Sequence, residues 1–324
     1  MRRTWFEMRG LAGLVAAFAI ALATQAGFGA ARASDLNVVV TIKPIHSIVA
    51  AVMEGVGAPS LLVDGAASPH TFTLKPSDAK ALAAARVVFR VSDGLEPFMV
   101  KVVKSLPTSV EVVVLEKVPG LILHRTRSGG TFEAHHDGAG GKRGHGHAHE
   151  KDTSAIDGHI WLDPSNAALI ASHVADVLGK ARPDAAARFK SNADAFARNA
   201  VALTEELAAR LAPLVGRPFI VFHDAYQYFE KRFGLDAVGS VTVSPDLAPS
   251  VKRLTALRAK IGRLKAACVF AEPQFEPRQI ATITENTSAK RGVLDPLGAS
   301  IAAGVGHYPA LLRKMAADFE GCLM

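Results

Sequence analysis

The 324-residue sequence is poor in cysteine (two), tyrosine (three) and tryptophan (two), and after residue 33 it has no apolar run long enough to span a bilayer. The chain beyond that point is expected to be soluble. It also lacks any cluster of Lys and Arg with interleaved aromatics, so nucleic acid is not an expected partner. The formal charge of +7 does not argue otherwise. Residues 1–33 carry four Arg and one Glu, a charge of +3, which leaves 7 − 3 = +4 on the rest as ordinary surface charge. Two catalytic signatures are missing as well. His149-Glu150 is not followed by the second His of an H-E-x-x-H helix, and Gly138 to Lys142 has Arg143 where a phosphate loop needs Ser or Thr, with no strand before it.

What is present begins with an address. Arg2, Arg3 and Arg9 precede an uncharged apolar run from Leu11 to Ala23, and Ala31-Arg32-Ala33 offers a small-x-small cleavage site before Ser34. Residues 1–33 read as a signal peptide, which predicts a periplasmic protein. An uncleaved anchor is the alternative, weakened by Thr24, Gln25 and the glycines that follow. In an exported chain Cys268 and Cys322 are expected to form a disulfide, two buried free thiols being the other possibility.

Hydrophobic content of 49% is ample for real cores, and the length suggests about two domains. The organising stretch is Pro183 to Leu214. Phe189, Phe196, Ala200, Leu203, Leu207 and Leu211 fall on one helical face, Pro183-Asp184 suits a start, and Pro213 and Gly216 supply a stop. A helix of about 30 residues is roughly 45 Å long, enough to tie two domains together. Strand and helix alternate on both sides of it, from Leu36 to Leu115 and from Pro218 to Phe319, which predicts parallel sheets with helices on their faces. The expected fold is α/β with two lobes: 34–182, a linking helix over 183–214, and 215–324. The letters show no internal repeat, so any symmetry is architectural. Residues 126–158 break the alternation with Gly, His and charge and read as a long disordered loop.

Four residues fall where strands end: His70, His159, His223 and Asp295. Binding groups belong at those ends of parallel strands. Three nitrogen donors and one oxygen suit tetrahedral Zn²⁺, whereas Mn²⁺ takes more carboxylate. Asp224, beside His223, is a candidate to orient that imidazole. His135, His136, His145, His147 and His149 form a second group in the loop, suited to weak, multiple metal binding.

Pro69-His70-Thr71-Phe72 with Lys75-Pro76-Ser77-Asp78, Phe222-His223-Asp224-Ala225-Tyr226, Phe270-Ala271-Glu272-Pro273-Gln274-Phe275 and Leu294-Asp295-Pro296-Leu297-Gly298 occur in that order. Together they resemble the zinc-binding receptor of a bacterial zinc ABC importer, of the metal-binding cluster A-I type, over essentially the whole chain after the leader. The resemblance implies two lobes on a rigid linking helix, a zinc site in the cleft and a His-rich loop at its mouth. By motif it carries over His70, His159 and His223 as ligands, with Asp295 or water fourth. Some members have Glu before the first His, where this chain has Pro69, and manganese-binding relatives have Glu in place of His223. The implied partners are Zn²⁺, as transported ligand, and a membrane permease, with the receptor itself a monomer and no enzyme. Two other readings are a secreted zinc hydrolase, which would need an open coordination position and a general base, and an adhesin of the same fold.

Overall fold

In Val38–Ile42 (β1) all five residues are buried, as expected for a strand covered by helices on both faces. It ends directly on Lys43–Val52 (α1), whose Pro44 suits a first turn. Ser60–Val63 (β2), Pro76–Ala83 (α2), Val87–Arg90 (β3), Pro97–Val103 (α3) and Glu111–Val114 (β4) complete a parallel sheet of order β2-β1-β3-β4. This is a computed structural model, and it describes residues 36–127, 132, 155–242, 250–275 and 278–324.

Pro164–Ala181 (α4) leads through a 3₁₀ turn at Pro183–Ala185 into Ala186–Leu211 (α5), and a second 3₁₀ turn, Ala212–Leu214, closes it. The expected helix is there, over the expected residues. Its buried stripe is Phe189, Ala193, Phe196, Ala200, Leu203, Leu207 and Leu211. At the flank of that stripe Asn192 Nδ2 donates to the carbonyls of Val52 and Glu54, both at 2.9 Å, at and just past the end of α1.

The second half is Phe219–Val221 (β5), Gln227–Phe233 (α6), Ala237–Ser240 (β6), Val251–Leu264 (α7), Cys268–Ala271 (β7), Arg278–Thr284 (α8), Lys290–Val293 (β8) and His307–Leu323 (α9). Its parallel sheet has the order β6-β5-β7-β8, the same plan as the first. Each sheet reverses strand order between its first and third strands, which opens a crevice at their carboxyl ends. Edge strand β8 starts with exposed Lys290 and Arg291, charges that discourage further pairing. Cys268 on β7 and Cys322 on α9 are joined in a disulfide with Cα atoms 5.9 Å apart. Gly292 lies beneath it; a Cβ there would stand 2.6 Å from the Phe270 ring and 3.0 Å from Cys322 Sγ, so only glycine fits.

One hydrophobic cluster runs through both halves, from Val38 and Phe89 by way of Trp161 and α5 to Phe219 and Phe319. Polar bonds reinforce it. Trp161 Nε1 donates to Pro296 O (2.9 Å), Tyr308 OH to Trp161 O (2.8 Å), and Lys43 Nζ to the carbonyls of Ala299 (3.0 Å) and Ile301 (3.2 Å). Arg210 and Arg313 pair with Glu320 and Glu206, tying α5 to α9.

At both ends of the stretch 126–158, where a disordered loop is expected, the described residues are held by backbone pairing. Arg125 and Ile156 form an antiparallel bridge, Thr126 N donates to Ala155 O and Asp157 N to His124 O, both at 2.9 Å. This short ladder docks on α6, which holds Ala155 to Gly158 in place: Gln227 Nε2 donates to Arg125 O and Tyr228 OH to Asp157 O. His135, His136, His145, His147 and His149 lie outside the described residues.

Candidate metal centre

His70 sits in the turn after β2, His159 at the end of the ladder that follows β4, and His223 just past the carboxyl end of β5. Sequence separates them widely, and the fold brings their ligand atoms within 4.8 Å of one another. Ring centroids lie 5.6 Å apart for His70 and His159, 5.7 Å for His70 and His223, and 5.2 Å for His159 and His223. The Nε2 atoms of His159 and His223 are 3.3 Å apart. Two nitrogens on a tetrahedral zinc at about 2.05 Å would be separated by about 3.3 Å. The pair is spaced for one ion.

Both imidazoles are oriented from behind. His159 Nδ1 is 2.7 Å from Asp157 Oδ1, which also accepts from the His159 backbone N–H at 3.0 Å. His223 Nδ1 is 2.7 Å from Glu272, at the carboxyl end of the adjacent strand β7. A carboxylate behind Nδ1 fixes the tautomer with the proton there and leaves the Nε2 lone pair facing the cavity. Burial, then the nearby His223, holds His159 well below the usual histidine range, so it is neutral at pH 7 and ready to ligate. For His223 burial is the largest influence and pushes down, but the charge and hydrogen bond of Glu272, with Asp224 and Asp157 behind, carry it above its ordinary value. Burial lifts Asp157 to about 6 against the hydrogen bonds of His159 N–H and Gln227.

Asp224, the candidate from sequence for orienting His223, does not take that place, which Glu272 occupies. Asp224 instead forms a paired ion bridge with Arg127, whose guanidinium also binds Glu230 at 2.8 and 2.9 Å and lies over the Phe132 ring. Adjacency along the chain misled because successive side chains at a strand end point apart; the partner of His223 comes across the sheet. Glu272 was visible within Ala271-Glu272-Pro273, and Asp157 two residues before His159, but neither had a sequence signal for this role.

The histidines line a small cavity of about 10 Å³ with Ser68, Gln274, Phe275 and Leu297 among the walls. That is room for about one ion or one water, and none for a hydrated cation or an organic substrate. Asp295 is buried nearby but is not gathered with the trio. Its Oδ1 accepts from Leu297 N (3.0 Å), Gly298 N (3.0 Å) and Gln274 Nε2 (2.8 Å), and its Oδ2 from Ala299 N (2.6 Å).

Solved structures share this architecture. The laminin-binding adhesin (Lmb) from Streptococcus agalactiae, in a mutant form, superposes with a TM-score of 0.72 at 25% identity, covering 89% of this chain and 100% of that one. A crystal structure of ZnuA does so with 0.73 at 24%, covering 89% and 99%, which bears on the fold alone. Fold and site together define a two-lobed metal-binding solute receptor. The chain belongs to the family described as zinc-uptake complex component A, periplasmic, whose model it matches over residues 38–322. A relative named High-affinity zinc uptake system protein ZnuA, from Brucella abortus (strain 2308), is 45% identical over 94% of this chain and 97% of its own length. Its namesake in Haemophilus ducreyi is 36% identical over 93% and 97%.

Proposed function

We propose that this protein captures Zn²⁺ outside the cytoplasm and delivers it to the permease of an ABC importer, with His70, His159 and His223 as its ligands. The observation that carries the reading is the buried trio of imidazoles, two of them backed by carboxylates, in a chain whose relatives are named for zinc uptake. Neutral imidazole is a good donor for zinc, and a cavity this small requires the ion to shed its water. Mn²⁺ and Mg²⁺ prefer more oxygen and higher coordination, so the same site disfavours them. The donors come from both halves, and a continuous core with a 26-residue helix between them supports a nearly fixed pair of lobes, 34–182 and 215–324.

The family is a receptor family, which supports a role without catalysis. Residues 1–33 are read as a cleaved leader, and the Cys268–Cys322 disulfide suits an oxidising compartment. The His-rich segment supplies accessory, weaker zinc sites that raise the local concentration near the tight one, and the receptor acts as a monomer. Native mass spectrometry of the leaderless protein, offered zinc, manganese and copper together, tests this. One tightly held zinc is expected; tight manganese with zinc excluded would overturn the assignment.

A further inference from the structure

Gln274, two residues beyond Glu272, lines the same cavity as the three histidines. Its two amide atoms have opposite fates. Nε2 donates to Asp295 Oδ1 at 2.8 Å, while Oε1 is buried with no hydrogen-bond partner among the described residues. The reverse orientation would set a carbonyl against a carboxylate oxygen, so Asp295 decides which atom is which. A buried acceptor left unpaired is destabilising, because it has given up its bond to water and gained nothing in return. Such a cost is expected where a ligand is to arrive.

Asp295 is placed differently. Its four hydrogen bonds include three from the backbone of the turn after Leu294, at Leu297, Gly298 and Ala299. That turn is held in turn by Lys43, which donates to Ala299 O and pairs with Asp64 at 3.0 Å. To ligate a cation, the carboxylate would have to abandon these N–H groups inside the protein. Three donors then share one plan: an imidazole of His159 backed by Asp157, an imidazole of His223 backed by Glu272, and the amide of Gln274 backed by Asp295. In each, a carboxylate accepts an N–H from the far side and polarises the donor atom on the near side.

Resting on the three-histidine site proposed above, we infer that Gln274 completes it: Oε1 supplies the oxygen at the fourth position of the bound cation, and Asp295 orients the amide without ligating. The immediate ligands are then all neutral, and the charge of the ion is balanced by carboxylates one bond further out. A neutral oxygen is a weaker donor than a carboxylate, which suits a receptor that must release its cargo.

The test is competitive zinc titration of the leaderless protein and four variants, together with a zinc-loaded crystal structure. Gln274→Leu should bind zinc at least tenfold more weakly with an unchanged apo melting temperature. Gln274→Glu retains an oxygen at the position and should bind better than Gln274→Leu. Asp295→Asn, which keeps an acceptor for the turn, should lose less than Gln274→Leu. Zinc affinity of Gln274→Leu equal to the parent, or a loaded structure with Asp295 or water in the fourth position, would overturn the inference. His223→Ala separates the two levels: parental affinity there would remove the three-histidine site itself, whatever Gln274 does.

Discussion

His159 Nε2 and His223 Nε2 stand 3.3 Å apart although they belong to different halves of the chain, one held by Asp157 and the other by Glu272. The distance matches two corners of a zinc tetrahedron.

Replacing His70, His159 or His223 by Ala removes one of three nitrogen donors. Each variant is expected to lose at least about a hundredfold in zinc affinity, by competition with a chelating dye. Three single variants that all kept the parental constant would rule out the trio as the tight site.

Glu272→Gln and Asp157→Asn keep the shape of the side chain and lose its charge. An orienting carboxylate is typically worth about 10–100-fold in metal affinity, so each should lie between the parent and the His→Ala variants. An unchanged constant for both would mean that the imidazoles are oriented by packing alone.

Glu96 is entirely buried, and burial raises it to about 7 against the hydrogen bonds of Thr41 Oγ1, Val91 N and Ser92 N and the charge of Arg90. Between its ordinary value near 4.5 and about 7 the unfolded chain has lost this proton while the folded one keeps it. Stability therefore falls as pH rises through that window, by an amount of order 3 kcal/mol across it. Glu96→Gln should flatten the fall in denaturant midpoints between pH 4.5 and 7. A variant with the same pH slope as the parent would show that Glu96 is ionised throughout.

Cys268 and Cys322 close a loop of sequence separation 54, and neither lines the histidine cavity. The double Ser variant should lose about 2–4 kcal/mol of stability and keep its tight zinc constant. Loss of zinc binding in a folded variant would connect α9 to the site more closely than its packing does.

Deleting residues 134–151 removes all five loop histidines and leaves the ladder of 124–127 with 155–157 in place. Calorimetry should report fewer zinc ions per chain with the strongest constant unchanged. If tight binding vanished while the protein stayed folded, the segment would be contributing a ligand.

The local patterns decided most of the architecture without help. The β-branched run at Val38–Ile42 and the apolar stripe of Phe189 to Leu211 each have one period and one way to be buried, so strand, helix and α/β alternation were legible in the letters. The motif positions of His70, His159 and His223 were legible too, because strand ends are where parallel sheets carry their binding groups. Tertiary structure alone decided what stands behind those residues. Asp224 is next to His223 in sequence and is taken by Arg127, 97 positions away, while Glu272, 49 positions away, reaches the imidazole because β5 and β7 are neighbours. Gln274 and Asp295 meet for the same reason, across β7 and β8. Hydrogen-bond partners across a sheet follow from strand order and register, which depend on contacts between distant segments, and no local pattern in the chain records them.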